Sequence, residues 1–201
     1  MNNWFSSDWH LGHEKILSLA RRPYSNAQEM NNHILDIYKK TVKRGDNFYY
    51  LGDLAWKVDI IYDFFRKIFN YEKHHNFFWI LGNHDLKFQN KLSNLPQLGK
   101  HLHIYNGIHE IKILDNEEKY RITLCHYPMI TWNCSHFGAW QLYGHHHNDY
   151  SGDFQFLRDH NPSMGKQYNV AWDNNNYKFI NFHEIKHTMG LLQNNWDLII
   201  K

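Results

Sequence analysis

Three consecutive histidines, His145, His146 and His147, stand directly behind Gly144 in the stretch LYGHHHNDY. Such a run is either a surface accident or a metal clamp, and consecutive imidazoles alone do not decide between the two. Other residues bear on the choice. Asp8 and His10 occur in SDWH, Asp53 in LGD, Asn83, His84 and Asp85 in LGNHD, and His126 in LCHYP. Carboxylate oxygens, neutral imidazoles and one amide oxygen, with no thiolate, form a mixed oxygen–nitrogen donor set. That set suits Mn²⁺, Fe or Zn²⁺ better than soft-metal or cluster chemistry. The i, i+2 spacing of Asp8 with His10, and of His145 with His147, lets two side chains just past a strand reach one centre. The candidate ligands Asp8, His10, Asp53, Asn83, His126, His145 and His147 are too many for one tetrahedral ion and suit two ions sharing a carboxylate. Taken singly, an Asp-x-His or a Gly-Asp is more often a turn or cap, and His126 beside Pro128 reads as a structural histidine. GNHD is more specific, because an Asn, a His and an Asp after a buried strand have no obvious packing purpose. The weight rests on all of them recurring in the same setting.

That setting is the end of a strand. Short apolar runs alternate with helical stretches, the pattern of an α/β fold. NWFSS, NFYYL (Asn47–Leu51) and NFFWIL (Asn76–Leu81) read as buried strands. Helices are expected over Ala27–Lys43, from the apolar spacing of Met30, Ile34, Ile37, Tyr38 and Val42, and over Asp59–Phe69. The stretch Gly107–His126 alternates polar and apolar residues about the turn DNEE and reads as a β-hairpin. WQLY, YNVA and KFINF are the later strands, and DNNNY (Asp173–Tyr177) reads as a turn. In open α/β sheets, ligands bind in the crevice beyond the carboxyl ends of the strands. Five polar clusters emptying into one rim can therefore meet although they lie far apart in sequence. Glycines 52, 82 and 144 permit the tight turns and close backbone approach that this requires.

Composition narrows the partners. A chain of 201 residues with 42% hydrophobic content buries one good core and is expected to form a single domain over residues 1–201. A net charge of +2 makes no electrostatic case for nucleic acid, although a local basic groove would remain compatible with it. Cys125 and Cys134 do not resemble a disulfide framework, and reduced thiols in the cytoplasm are expected. No apolar run approaches membrane-spanning length and the first residues carry no signal pattern, so a soluble, cytoplasmic protein is expected. The seventeen histidines are the one compositional hint of metal chemistry.

In order and spacing, Asp8/His10, Gly52-Asp53, GNHD, His126 and GHHH resemble the motifs D-x-H, G-D, G-N-H-[DE], H and G-H-x-H of the calcineurin-like metallophosphoesterase superfamily. SSDWHLGHEKIL, RRPYSNAQEMN, LCHYPMITWN and LYGHHH resemble a small, cap-free bacterial and phage branch of it. The similarity runs from Trp4 to about Ile185, leaving residues 187–201 as a C-terminal tail outside it. The resemblance implies a four-layer sandwich of two mixed β-sheets flanked by helices, and hydrolysis of phosphomonoesters or phosphodiesters. It also implies that Asp8, His10 and His147 hold one divalent ion and that Asn83, His126 and His145 hold a second. Asp53 bridges the two, and His146 falls on the variable position. Mn²⁺ is the expected metal, with Fe, Zn²⁺ or Ni²⁺ as alternatives. His84 is the family's non-ligand histidine, the proton donor to the leaving group, and Asp85 is a structural hydrogen-bonding residue. Arg22 matches an Arg-Pro pair of the narrower branch and is the candidate phosphate clamp, although Arg21 and Arg22 read equally well as a solvated helix-end pair.

The physics of such a site stands apart from the resemblance. Two ions about 3.5–4 Å apart lower the pKa of a water between them from 15.7 towards ~7 and absorb charge on the phosphoryl oxygens. In-line attack then needs an acid opposite, which an imidazole supplies near neutral pH. The expected substrate is a small phosphoester or nucleotide in an open cleft. A nuclease acting on DNA or RNA ends is the alternative, disfavoured by the absence of room for a capping domain and by the near-neutral charge. A catalytically silent scaffold of the same fold would lack a ligand or the proton donor, and all eight positions are filled. His13 could line the mouth of the site or be a surface histidine. Tyr127 and Trp132 either flank the substrate or pack beneath it. His74, His75, His101, His103 and His109 lack ligand spacing and read as surface or strand residues.

Overall fold

A computed structural model describes residues 1–71, 74–92, 100–147 and 165–195. It consists of two mixed sheets packed face to face and flanked by helices. The first sheet is built from β1 (Asn3–Ser6), β2 (Asn47–Tyr50), β3 (Asn76–Ile80) and β4 (Leu102–Tyr105), all parallel in the order β4-β3-β2-β1, with β9 (Ile180–Asn181) antiparallel beside β1. The second has the order β5-β6-β7-β8: β5 (His109–Asp115) and β6 (Glu118–Leu124) form an antiparallel hairpin, and β7 (Trp140–Tyr143) and β8 (Gln167–Asn169) continue in parallel. The hairpin turns on Asn116 and Glu117, both at positive φ (49° and 69°), as a tight turn matched to strand twist requires.

Alternation along the central strands supplies two cores at once, because successive side chains point to opposite faces. Phe48, Tyr50, Phe77 and Trp79 face outward, under α2 (Ala27–Thr41) and α3 (Val58–Tyr71). Tyr49, Leu51 and Ile80 face inward, against Ile122, Leu124, Trp140 and Leu142 of the second sheet. The high aromatic content is accounted for here: Trp9 alone packs against Tyr38, Phe48, Tyr50, Phe64 and Phe179. Burying each such ring stabilises the fold by ~1.5–3 kcal/mol relative to exposure.

The helices begin where their caps put them. The Asn26 side chain accepts the N–H of Glu29 at the start of α2, and Met30, Ile34 and Tyr38 then fall on one buried face. A short α1 (Glu14–Leu19), absent from the sequence-based expectation, follows the first polar cluster, and α4 (Gln89–Leu92) follows the third. The last helix, α5 (Phe182–Gly190), opens with a capping box between Asn181 and Glu184 and buries Phe182, Ile185 and Met189 between the sheets. Within the stretch expected as a tail, residues 187–190 thus complete a helix. The Asn195 amide donates to the Ile130 carbonyl at 2.7 Å, and residues 196–201 lie outside the described residues. Among the described residues, no helix is long and apolar enough to cross a membrane.

Candidate metal centre

The loops after β1, β2, β3, β6 and β7 converge at one edge of the sandwich. The first sheet delivers Asp8, His10, Asp53, Asn83, His84 and Asp85; the second delivers His126, His145 and His147. Backbone contacts stitch this edge together. Asp8 N–H donates to the Gly52 carbonyl at 2.9 Å and His10 N–H to the Asp53 carbonyl at 3.0 Å. Trp172 N–H donates to the Ser7 carbonyl at 3.0 Å, and Ser7 and Ala171 form a parallel bridge from one sheet to the other.

Two groups of donor atoms result, each able to hold an ion: Asp8, His10 and His147, and Asp53, His126 and His145. Asp53 stands between them, its Oδ2 lying 3.7 Å from His10 Nε2 and 3.5 Å from His126 Nε2. Asn83 Oδ1 joins the second group, 3.0 Å from His126 Nε2. In the first group the Nε2 atoms of His10 and His147 approach to 3.1 Å. The two oxygens of the buried Asp8 carboxylate differ. Oδ2 accepts from the Ser7 hydroxyl at 2.5 Å and from His145 N–H at 2.9 Å, whereas Oδ1 is buried with no hydrogen-bond partner. An unpartnered buried carboxylate oxygen is costly unless something cationic meets it. The donor sets fit divalent ions at both groups, and the open oxygen adds to the case at the first.

Holding so many side chains at one point strains the backbone. Asp8, His10, Asp53 and His145 all have positive φ, between 50° and 70°, a region that L-residues visit at a cost of about 1–3 kcal/mol. The three glycines of the motifs permit close approach. A Cβ on Gly144 would sit 2.3 Å from Asp8 Oδ2, one on Gly82 would sit 2.3 Å from Asp53 Oδ1, and one on Gly52 would sit 2.5 Å from His126 Nδ1.

The electrostatics follow from burial and charge. Burial would raise the pKa of Asp53, but hydrogen bonding to His126, the charges of His126 and His10 and the N–H of His84 outweigh it and hold the carboxyl at about 2. Burial would lower that of His126, but Asp53, Asp8 and the Leu51 carbonyl raise it to about 9. His10 is lowered well below the usual imidazole range, first by desolvation. Burial and then the Asp53 charge push Asp85 up to about 7, against the pull of three backbone N–H groups.

His84 is half-buried, its ring 5.3 Å from that of His10 and 5.8 Å from that of Trp56, and it lines an open cleft of about 410 Å³ together with His13, His145 and His147. His13 does line the mouth, stacked on Trp56 at 3.9 Å and 2°. Tyr127 is exposed beside the His145 ring, while Trp132 is buried and donates to the Ala139 carbonyl. His75 is fully buried, stacked on Phe69. Asp85 is a buried structural acceptor for the N–H groups of Asp53, Leu54 and Gly82 and for the Trp79 indole.

Arg22 does not reach the cleft as a phosphate clamp would. Its side chain is fully buried, and the donors of its guanidinium are spent on both oxygens of Asp173, the carbonyls of Asp8 and Trp9, and the Met30 sulfur. The run expected as a plain turn therefore supplies a residue the sequence reading missed. Asp173 Oδ2 lies 2.6 Å from His147 Nδ1, and the neighbouring Asn174 amide donates to the His146 carbonyl. A signal was present: the expected strand YNVA, which contains most of β8, is a sixth one with a polar cluster, Asp173 and Asn174, shortly behind it.

A family model described as calcineurin-like phosphoesterase matches residues 1–200. An uncharacterized protein, MJ1445 from Methanocaldococcus jannaschii, is 30% identical over 178 residues, covering 86% of this chain and 82% of that protein. The crystal structure of AQ665, a protein of unknown function from Aquifex aeolicus, has the same fold. It superposes with a TM-score of 0.66 at 24% identity, over 93% of this chain and 98% of that one.

Proposed function

The chain belongs to the calcineurin-like phosphoesterase family, and from that premise we propose that it is a dinuclear metal-dependent phosphoesterase acting on a small phosphodiester or phosphomonoester. The observation that carries the reading is the place of Asp53, one carboxylate oxygen within 3.7 Å of donors from both groups. Divalent ions, with Mn²⁺ proposed, supply when bound an activated water and positive charge for the phosphoryl oxygens. Asp8, His10 and His147 hold one ion; Asn83, His126 and His145 hold the other. His84, its backbone pinned to Asp53 Oδ1 at 2.9 Å and its ring free of both groups, protonates the leaving oxygen. The open cleft of about 410 Å³ favours a substrate of nucleotide size over a long duplex.

The test is metal dependence on a panel. Chelated protein should be inactive on an aryl phosphodiester and recover with Mn²⁺, and the panel of monoesters, diesters, cyclic nucleotides and short oligonucleotides should then rank the substrate class. Full turnover in protein shown by elemental analysis to be metal-free would overturn the reading.

A further inference from the structure

The two candidate ion sites orient their histidines by different means. His126 places its Nδ1 2.7 Å from the Leu51 carbonyl, a neutral acceptor that no side-chain substitution removes. His147 places its Nδ1 2.6 Å from the Asp173 carboxylate. That carboxylate is gripped in turn by Arg22, with Nε to Oδ1 at 2.7 Å and Nη2 to Oδ2 at 2.8 Å, a bidentate pair fully out of solvent. The same guanidinium donates to the carbonyls of Asp8 at 2.5 Å and Trp9 at 2.6 Å, inside the loop that carries Asp8 and His10.

We infer that Arg22 and Asp173 are positioning residues of the first ion site, forming an Arg–Asp–His chain through which one buried guanidinium sets Asp8, His10 and His147 together. This rests on the dinuclear reading and extends it to residues that touch no ion. A carboxylate on one imidazole nitrogen fixes the tautomer, with Nδ1–H donating to Asp173 and the Nε2 lone pair presented to the ion. It also strengthens that nitrogen as a donor. Nε2 is the atom that faces His10 Nε2 and lies 3.6 Å from Asp8 Oδ1. The residues are 151 positions apart, and two buried charges in bidentate contact hold their geometry more tightly than a neutral pair would. Lysine cannot replace this arginine, since a point charge cannot grip both carboxylate oxygens and two carbonyls in one plane.

The experiment titrates Mn²⁺ into the metal-free full chain by calorimetry, comparing the parent with Asp173→Asn, Arg22→Lys and His147→Ala. Asp173→Asn should weaken one of two binding steps by about 10–100-fold and leave the other at the parent affinity. Arg22→Lys should weaken the same step. Asparagine keeps the volume and one acceptor oxygen, so a folded variant is expected; circular dichroism and the unfolding midpoint confirm it. Should either variant fail to fold, ¹⁵N spectra of the parent loaded with Zn²⁺ read the same point directly. The inference requires an Nδ1–H tautomer at His147, and an Nε2–H tautomer overturns it. Two parental binding steps in Asp173→Asn also overturn it, provided His147→Ala has lost one. If His147→Ala itself keeps both, the dinuclear reading fails instead.

Discussion

The carboxylate of Asp85 accepts the backbone N–H of Asp53 at 2.7 Å, so the residue standing between the two donor groups is held from behind by one that belongs to neither. The same oxygen accepts the Gly82 N–H and the Trp79 indole, and its partner oxygen accepts the Leu54 N–H.

Asp85→Asn should therefore destabilise the fold by about 1–3 kcal/mol, because an amide must turn an NH₂ group towards at least one buried N–H donor. A urea titration should show a lower midpoint at unchanged slope. An unchanged midpoint would mean that these loops hold their shape without the carboxylate.

Gly144→Ala should cost the protein its first ion while leaving the fold intact. The added methyl meets Asp8 Oδ2 and Ser7 Oγ at 2.3 Å, and the carboxylate has to move. Gly190→Ala, where nothing lies within 4 Å of the added carbon, is the control and should keep the parent's metal content. Elemental analysis after dialysis against Mn²⁺ distinguishes the two; equal contents would place Asp8 outside the site.

His84→Asn should keep metal content near the parent's and lower turnover by ~10²–10⁴, chiefly for esters with alkoxide-like leaving groups. For a nitrophenolate-type leaving group, which hardly needs a proton, the loss should be much smaller. The measurement is the parent-to-variant ratio of kcat/KM across leaving groups of rising pKa, and a flat ratio would reassign His84 to orienting the phosphate.

Metal binding should release protons and tighten as pH rises. His126 is held protonated in the metal-free chain, with a pKa raised to about 9, and Nε2 must lose its proton before it can ligate. Below about pH 9 protons compete with metal, so apparent Mn²⁺ affinity should rise about tenfold per pH unit between pH 7 and 9 for each proton displaced. Calorimetry in buffers of different ionisation enthalpy counts the protons. Binding independent of pH over that range would show that His126 is not held protonated in the metal-free chain.

The motifs were legible because metal-binding chemistry restricts the residue type and each stands behind a stretch that reads as a strand, an apolar run in β2 and β3 and an alternating one in β6. NFYYL and NFFWIL became β2 and β3, and the apolar spacing of Met30, Ile34 and Tyr38 became the buried face of α2. The rest depends on distant partners. β4 is half-buried throughout and contains His103, and it is a strand because β3 offers it a free edge. Arg22 reads as a surface or substrate-facing residue until Asp173 is seen to reach it from across the chain. α1 has six residues and no side-chain cap, too little periodicity to stand out.

The bridge between Ser7 and Ala171 joins the two sheets at the edge where the site forms, and the donors on either side of it come from different sheets. An ion gripped from both sides is thus a removable rivet through the sandwich. Its strength varies with supply: each tenfold of free metal above the dissociation constant adds about 1.4 kcal/mol against unfolding. Were metal withdrawn from such a site, the chain would open more often and be cut faster by proteases.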